Sequence, residues 1–168
     1  MWYFSKSGSS ANFFKTCALA LGLAASAVAF AADSGSSTPA PPTVAERLDV
    51  ARAAIKVKDW KKAMAELNQA AKNDPKNADV QNLLGYSNRK QAQPNLPQAF
   101  VHYKRALELD PAHKGAHEYI GEAYLMDKKP DEAEKHLATL EKLCGNKTCE
   151  EYADLSKSIA EYRAKNKS

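Results

Sequence analysis

The chain has 168 residues, enough for one ordinary domain, and its formal net charge at pH 7 is +4. Two of the excess cations, Lys6 and Lys15, lie in a segment that we expect to be removed, which would leave about +2 on the mature protein. So small a charge gives no electrostatic footprint for nucleic acid or for an anionic membrane surface.

Residues 1–31 have the pattern of a secretory signal peptide. Two lysines supply a positive start, an apolar run rich in Ala and Leu extends from Cys17 to Phe30, and small residues at 29 and 31 form a cleavage site before Ala32. The alternative is an uncleaved membrane anchor, but the run is shorter than the ~20 apolar residues that a spanning helix needs. We therefore expect export, to the periplasm or out of the cell, with no membrane span after cleavage.

Residues 32–43 are rich in Ser and Pro and are predicted to be a disordered linker, because they cannot bury a core. The linker ends at Thr43, which forms a capping box with Glu46 at the start of a helix. Beyond it the apolar residues recur at helical spacing, and no strand-like alternation of useful length occurs. Further helix starts are marked by Asp59, Asn77, Pro97 and Pro130. The predicted fold class is all-α.

A pattern of small, aromatic and aliphatic residues recurs along this helical region. Its fullest copy consists of Ala99, Tyr103, Ala106 and Pro111. Matching residue types stand 36 positions earlier, at Ala63, Leu67, Ala70 and Pro75, and 34 positions later, at Ala133, Leu137 and Leu140. The markers of the preceding helices, Leu84-Gly85 and Ile120-Gly121, are also 36 apart.

This layout resembles the tetratricopeptide repeat, whose period is about 34 residues. The two extra residues of the middle unit are expected in its inter-helix turn, at Gln93–Pro97, because both flanking helices keep their register. The resemblance implies a solenoid of helical hairpins with repeats at 44–77, 78–113 and 114–147. The first repeat departs from the pattern in its opening helix, where Val50-Ala51 replaces Leu-Gly.

Residues 148–168 are predicted to form a last helix, with a second capping box made by Thr148 and Glu151. Its apolar face is formed by Tyr152, Leu155, Ile159 and Tyr162. An apolar face for the last repeat and a polar face for water are what a terminal cap of a solenoid needs. The alternative is a separate helix that binds a partner.

Cys144 and Cys149 are the cysteines that remain after cleavage, an even number in a protein expected to be exported. They flank the turn into the last helix, so we predict a disulfide that fixes the cap. Their spacing is not that of a Cys-x-x-Cys redox motif, and no further cysteine completes a zinc site.

His113 and His117 stand four residues apart beside Glu118, a spacing at which two histidines can share a metal ion. His113 begins a helix, however, and the sequence fixes no third ligand. His102 and His136 occupy positions that the repeat leaves exposed. We therefore interpret the histidines as solvated surface residues, and expect no metal and no other cofactor.

The resemblance also implies a function, because the first helices of such hairpins line a concave groove that takes a peptide or helix from a partner protein. The positions matching that groove are Leu48, Arg52, Asn82, Tyr86, Arg89, Glu118, Tyr119 and Glu122. Arginines lie toward the first repeats and glutamates on the last, around an aromatic floor. We therefore expect a partner segment that is apolar in its middle and oppositely charged at its ends.

One subset of the family uses a clamp of Lys, Asn and Arg to bind a C-terminal carboxylate. The matching places here hold Leu48, Arg52, Leu83, Gly115 and Tyr119, which do not support that function. The prediction is an exported adaptor or scaffold that binds protein and is not an enzyme. The alternatives are a metal-dependent activity at His113 and His117, or a structural protein of the envelope that assembles with itself.

Overall fold

A computed structural model of the chain describes residues 40–166, in which seven helices and no strand are found. The predicted signal peptide and most of the predicted linker lie outside the described residues. The helices are α1 (Val44–Lys56), α2 (Trp60–Asn73), α3 (Ala78–Lys90), α4 (Leu96–Leu109), α5 (Lys114–Met126), α6 (Pro130–Cys144) and α7 (Glu150–Lys165). They form three helical hairpins followed by a seventh helix, which confirms the predicted fold class.

Local capping chemistry sets where the helices begin. At α1 the Glu46 amide donates to Thr43 Oγ1 at 3.3 Å and the Thr43 amide donates to Glu46 Oε2 at 2.8 Å, so the first predicted capping box is confirmed. Asp59 and Asn77 cap α2 and α3 as predicted, and Pro97 and Pro130 lie in the first turns of α4 and α6. The side chains of Thr43, Asp59 and Asn77 satisfy amide groups that have no partner within the helix, and the prolines have no amide hydrogen to satisfy.

The second predicted capping box is wrong. The N-cap of α7 is Cys149, and no side chain caps this helix. Thr148 instead belongs to a local turn in which Asn146 Oδ1 accepts from the Thr148 amide at 2.9 Å and from Thr148 Oγ1 at 3.0 Å. Such a turn uses the side-chain hydroxyl group that could otherwise cap the helix. Thr148 forms the turn with Asn146 and therefore does not cap α7.

The connections within the hairpins confirm the position of the inserted residues. Residues 57–59 join α1 to α2 and residues 127–129 join α5 to α6, whereas residues 91–95 join α3 to α4. The two short connections place Lys58 and Lys128 at the same left-handed backbone angle, φ 59°. The middle hairpin thus takes up its longer sequence in the loop, and its helices keep their register.

The apolar core is divided into three clusters along the solenoid. The first joins α1, α2 and α3 and contains Leu48, Ala51, Leu67, Ala70, Val80 and Leu84. The second joins α4 and α5 and contains Ala99, Tyr103, Ile120 and Ala123. The third joins α5, α6 and α7 and contains Leu125, Ala133, Leu140, Leu155 and Ile159. Each cluster includes small and large residues of the repeating pattern, which shows that the pattern encodes packing between helices.

The two glycines of the repeating pattern are explained by close approach. A Cβ atom at Gly85 would lie 2.6 Å from Cδ1 of Tyr103, and one at Gly121 would lie 2.7 Å from Cδ2 of Leu155. Both distances are shorter than packed atoms tolerate. Because Gly85 has no side chain, the ring of Tyr103 on α4 can pack against it. Gly121 leaves room in the same way for the side chain of Leu155 on α7.

Helix α7 packs against α5 and α6 and continues the stack of hairpins. Besides its apolar contacts, Ser158 Oγ donates to Glu122 Oε1 at 3.2 Å, and Arg163 pairs with Glu134. Within residues 40–166, none of the helices combines the length and the apolar character that crossing a membrane requires.

Candidate functional site

The first helices of the hairpins, α1, α3 and α5, contribute to one surface together with α7. We call this surface the odd-helix face. All eight residues predicted to line a groove lie on α1, α3 or α5. They are not equally available to a partner. Leu48 is only 6% exposed and belongs to the first apolar cluster with Leu67 and Val80, so its predicted role as a groove contact is wrong. Its side chain faces α2 and α3.

Asn82 is also nearly inaccessible, with 5% of its surface exposed. It lies across from Gly115 of α5, where an added Cβ would stand 3.2 Å from the Asn82 amide nitrogen. Its side-chain oxygen has no hydrogen-bond partner in the described part of the chain. The structure thus places Asn82 between α3 and α5, beneath the odd-helix face and not on it.

Tyr86 and Tyr119 are both partly exposed and contact each other on the odd-helix face. Their ring centroids are 4.8 Å apart with the planes tilted by 48°. The ring centroids of Trp60 and Tyr86 are 6.4 Å apart, and those of Tyr103 and Tyr119 are also 6.4 Å apart. Tilted aromatic pairs at these distances attract each other beyond the effect of their buried area. The sequence did not predict that Trp60 lies beside Tyr86, because this contact depends on how α2 packs against α3.

Arg89 lies beneath this aromatic cluster and is only 4% exposed. Its guanidinium carbon is 5.5 Å from the ring centroid of Tyr86 and 5.6 Å from that of Tyr119. Nε donates to the hydroxyl oxygen of Tyr103 at 3.2 Å, and Nη2 lies 2.5 Å from Glu122 Oε2. Burial acts to lower the pKa of Arg89, but Tyr103 and Glu122 outweigh it and raise that pKa.

The ion pair between Arg89 and Glu122 shows that the expected division of charge along the groove was wrong. Arg89 and Glu122 were predicted to present opposite charges toward the two ends of a groove, but they neutralise each other at its centre. Arg52 does remain on the surface, with its side chain 46% exposed and its nitrogen atoms 3.8 Å from Asp49 and 3.9 Å from Asp79. Ion pairs this exposed contribute little energy.

Glu118 differs from the other acidic residues of the face because it is only 8% exposed. Burial, followed by the carboxylates of Glu122, Asp154 and Glu151, raises its pKa to about 8, while Arg89 acts in the opposite direction. At neutral pH the Glu118 carboxyl group is therefore mostly protonated. Two of these neighbours, Asp154 and Glu151, belong to α7, for which the sequence predicted a cap or a separate partner-binding helix and no part in the groove.

The histidines are not the solvated surface residues that the sequence suggested. His117 is buried, and its Nε2 lies 3.0 Å from the carbonyl oxygen of Pro111 while its Nδ1 lies 2.9 Å from Nδ1 of His136. Since the Pro111 carbonyl can only accept, Nε2 of His117 donates to it. One of the two Nδ1 atoms in the His117–His136 contact donates to the other, according to which of them carries the proton. His102 is half-buried, and its Nδ1 donates to Gln81 at 2.9 Å.

His113 and His117 do not converge on a common ligand position. Nδ1 of His113 accepts from the Ala116 amide at 3.1 Å and thereby caps α5, and Nε2 is 3.2 Å from Asp79 Oδ1. In residues 40–166, the group of three potential ligands whose atoms come close enough to hold a metal contains no histidine. It consists of Cys144, Cys149 and Glu151.

In the structure Cys144 and Cys149 are paired as a disulfide, with their Cα atoms 6.1 Å apart. Two sulfur atoms bonded to each other are not thiolates that could bind a metal. The pair spans the turn from α6 to α7.

Fold and face together define an all-α protein of stacked helical hairpins whose first helices carry an aromatic and charged surface. Residues 91–156 match the family model described as tetratricopeptide repeat. This part of the chain is thus identified as tetratricopeptide repeat sequence.

A solved structure supports the same fold. The chain is similar to the type III secretion translocator chaperone SycD of Yersinia enterocolitica, with a TM-score of 0.65 and 18% sequence identity, over 77% of this chain and 98% of that one. Identity this low shows the fold alone. No curated relative matches the sequence at a significant level.

Proposed function

We propose that the chain is an exported adaptor that binds a segment of a partner protein on its odd-helix face. The Yersinia protein with the similar fold is described as a translocator chaperone, and by analogy this chain would also act by binding another protein. The proposed role is binding and not catalysis. The alternative of a metal-dependent activity gains no support from His113 and His117, whose ring atoms have separate partners.

The observation that carries the proposal is the contact between Tyr86 and Tyr119. Both rings are partly exposed, and the buried side chain of Arg89 lies against them. Aromatic residues held rigid near the centre of a surface dominate the energy of protein interfaces, because they bury much area and lose little freedom on binding. The other exposed residues of the face would then act as a polar rim.

Export is supported by residues 1–31 and by the position of the two remaining cysteines. A disulfide between Cys144 and Cys149 persists in an oxidising compartment such as the periplasm. N-terminal sequencing of the protein isolated from the envelope or medium is expected to begin near Ala32. A protein that retained residues 1–20 would contradict cleavage.

The binding proposal is tested by first identifying the partner through cross-linking in the native envelope and mass spectrometry. The affinity of Tyr86→Ala is then compared with that of Lys104→Ala, which alters an exposed residue of α4. Loss of a central aromatic anchor is expected to weaken binding by about thirtyfold or more, and loss of Lys104 by less than about twofold. Circular dichroism confirms that both variants fold. Normal binding by Tyr86→Ala with loss of binding by Lys104→Ala would show that the partner uses the second helices.

A further inference from the structure

A groove lies between α6 and α7, at the end of the stack of hairpins. Its volume is about 680 Å³, and most of the residues that line it are apolar. Leu137 of α6 forms part of one wall, and Tyr152, Ile159 and Ala160 of α7 form part of the other. Ile159 belongs to the third apolar cluster, whereas Ala160 is exposed. The groove therefore extends the apolar core of the last hairpin to the surface.

The corresponding space one hairpin earlier is covered by another helix. A cavity of about 380 Å³ between α4 and α5 is lined by Leu107 and Tyr124, and also by His136 of α6. The rings of Tyr124 and His136 stack with their centroids 5.7 Å apart.

The two spaces occupy equivalent places in the repeat. Glu141, which lines the groove, stands 34 positions after Leu107. Ala160, which also lines it, stands 36 positions after Tyr124. In the described part of the chain, however, the groove is lined by α6 and α7 alone. It is thus a contact surface of the solenoid that lacks a covering helix.

The charged residues of the groove lie toward its two ends. At one end Glu134 of α6 pairs with Arg163 of α7. Glu141 lies about two turns further along α6, toward the start of α7, with Lys147 3.3 Å away. The lining residues between these ends are uncharged. Lys157 of α7 lines a different cavity, which is shared with α5.

This distribution of charge is complementary to a second copy of itself. If two copies meet about a twofold axis through the middle of the groove, their α7 helices run antiparallel. Arg163 of each copy then lies beside Glu141 of the other copy, because the axis exchanges the two ends of the groove. Near the axis the facing residues are Ser156 and Ala160, whose small side chains allow the two helices to approach closely.

The opposite end of the solenoid has a different surface. A cavity of about 330 Å³ is lined there by the linker residues Ala40 and Pro42 and by the ion pair of Arg47 with Glu66. The residues that precede α1 therefore already lie against that end. A head-to-tail contact between copies would have to displace them, and it would produce open chains instead of a closed dimer.

We infer that two copies of the chain form a dimer through the groove between α6 and α7, with α7 of each copy packed against α6 and α7 of the other. This inference goes beyond the proposed function, because Tyr86 and Tyr119 do not line the groove. The dimer leaves their contact accessible in both copies. It therefore presents two odd-helix faces to a partner.

Sedimentation velocity of the protein, purified as cells produce it, tests the dimer. Its dissociation constant should be about 10 µM, since a groove of this size buries less surface than an obligate interface does. Ala160→Glu brings two carboxylates together near the axis and should weaken the dimer about tenfold or more. Ala65→Glu is the matched control, because Ala65 is exposed on α2, and it should dimerise like the wild type. Circular dichroism confirms that both variants fold.

A charge exchange tests how the two copies are arranged. Arg163→Glu alone and Glu141→Arg alone should each weaken the dimer about tenfold or more, because like charges then meet at both ends of the interface. An equal mixture of the two variants should dimerise like the wild type, since each contact again joins an arginine to a glutamate. A variant that merely destabilised the fold would not be rescued by mixing.

The outcomes separate this inference from the binding proposal. A protein that sediments as a monomer up to about 200 µM would overturn the dimer. A mixture of the charge variants that stays monomeric, or assembly into species larger than a dimer, would also overturn it. Loss of the dimer in Tyr86→Ala would place the contact on the odd-helix face and contradict the inference. Normal dimerisation of Tyr86→Ala, together with rescue in the mixture, supports the inference whatever the result of the partner-binding experiment.

Discussion

The first hairpin and the helices α3 and α5 bury different kinds of side chain. Where α1 and α2 meet, the buried residues are apolar, among them Leu48, Ala51 and Leu67. Across residues 40–166, by contrast, every buried polar or charged residue lies on α3 or α5. These residues are Gln81, Asn82, Ser87, Asn88, Arg89, His117 and Glu118.

In this fold the first hairpin contributes mainly to stability, whereas α3 and α5 carry the surface that we propose for binding. The first hairpin is stacked by apolar packing together with the partly buried ion pair of Arg47 and Glu66, which joins α1 to α2. The polar groups buried on α3 and α5 are therefore not needed to form the repeat. Such groups reduce stability unless they are fully paired. One of them, Arg89, lies against the Tyr86–Tyr119 contact, the surface at which we propose that a partner binds.

The largest effect is expected in the apolar region. Leu67 is fully buried between α1, α2 and α3, so Leu67→Ala should reduce the free energy of unfolding by about 2–5 kcal/mol. Urea denaturation measures the loss, and Val57→Ala, at an exposed site, should change stability by less than about 0.5 kcal/mol. Equal, small losses in both variants would mean that the first hairpin is not held by this cluster.

A somewhat smaller effect is expected at the buried ion pair. Arg89→Met leaves Glu122 and the Tyr103 hydroxyl without their buried partner and should cost about 2–3 kcal/mol. Adding Glu122→Gln should cost little more, because the unpaired charge is then removed. Additive losses in a double-mutant cycle would show that the two side chains do not interact.

Reduction of the disulfide should have an effect of about 2 kcal/mol, the loop-closure contribution of so small a ring. The melting temperature of the isolated protein should fall by a few degrees in reducing agent, while Cys144→Ser/Cys149→Ser should be insensitive to it. Two free thiols in protein alkylated without reduction would contradict the bond.

The smallest effect concerns the His117–His136 contact. Burial and then His117 lower the pKa of His136 to about 4, with Lys135 acting the same way and Glu132 opposing. Because the pKa is lower in the folded protein than in the unfolded chain, protonation favours unfolding. The stability that depends on this group is present above about pH 6.5 and is lost as the pH falls toward 4. Urea midpoints between pH 7 and 4 should fall less for His136→Phe than for the wild type, and parallel curves would contradict the assignment.

Much of the fold could be predicted because its determinants are local. Thr43, Asp59 and Asn77 act through hydrogen bonds from amides three residues away, and Gly85 marks where Tyr103 must fit. The loop at 91–95 followed from a shift in period alone.

The candidate site was less predictable because it depends on distances between helices. The pairing of Arg89 with Glu122 and the contact of His117 with His136 each join two helices, and neither residue type nor spacing encodes the rotation of one helix against another. Leu48 was misassigned because the first helix departs from the repeating pattern, so the pattern could not show which side packs. The sequence did not predict that Glu151 and Asp154 of α7 influence Glu118, because this too depends on how two helices pack against each other.

We propose that the partner binds where α3 and α5 bury polar groups, around Tyr86 and Tyr119. Hydrogen–deuterium exchange of the full chain, with and without the partner identified by cross-linking, measures where it binds. Binding should slow exchange in α3 and α5 and leave exchange in α2 and α4 unchanged. Protection confined to α2 and α4 would show that the partner binds elsewhere.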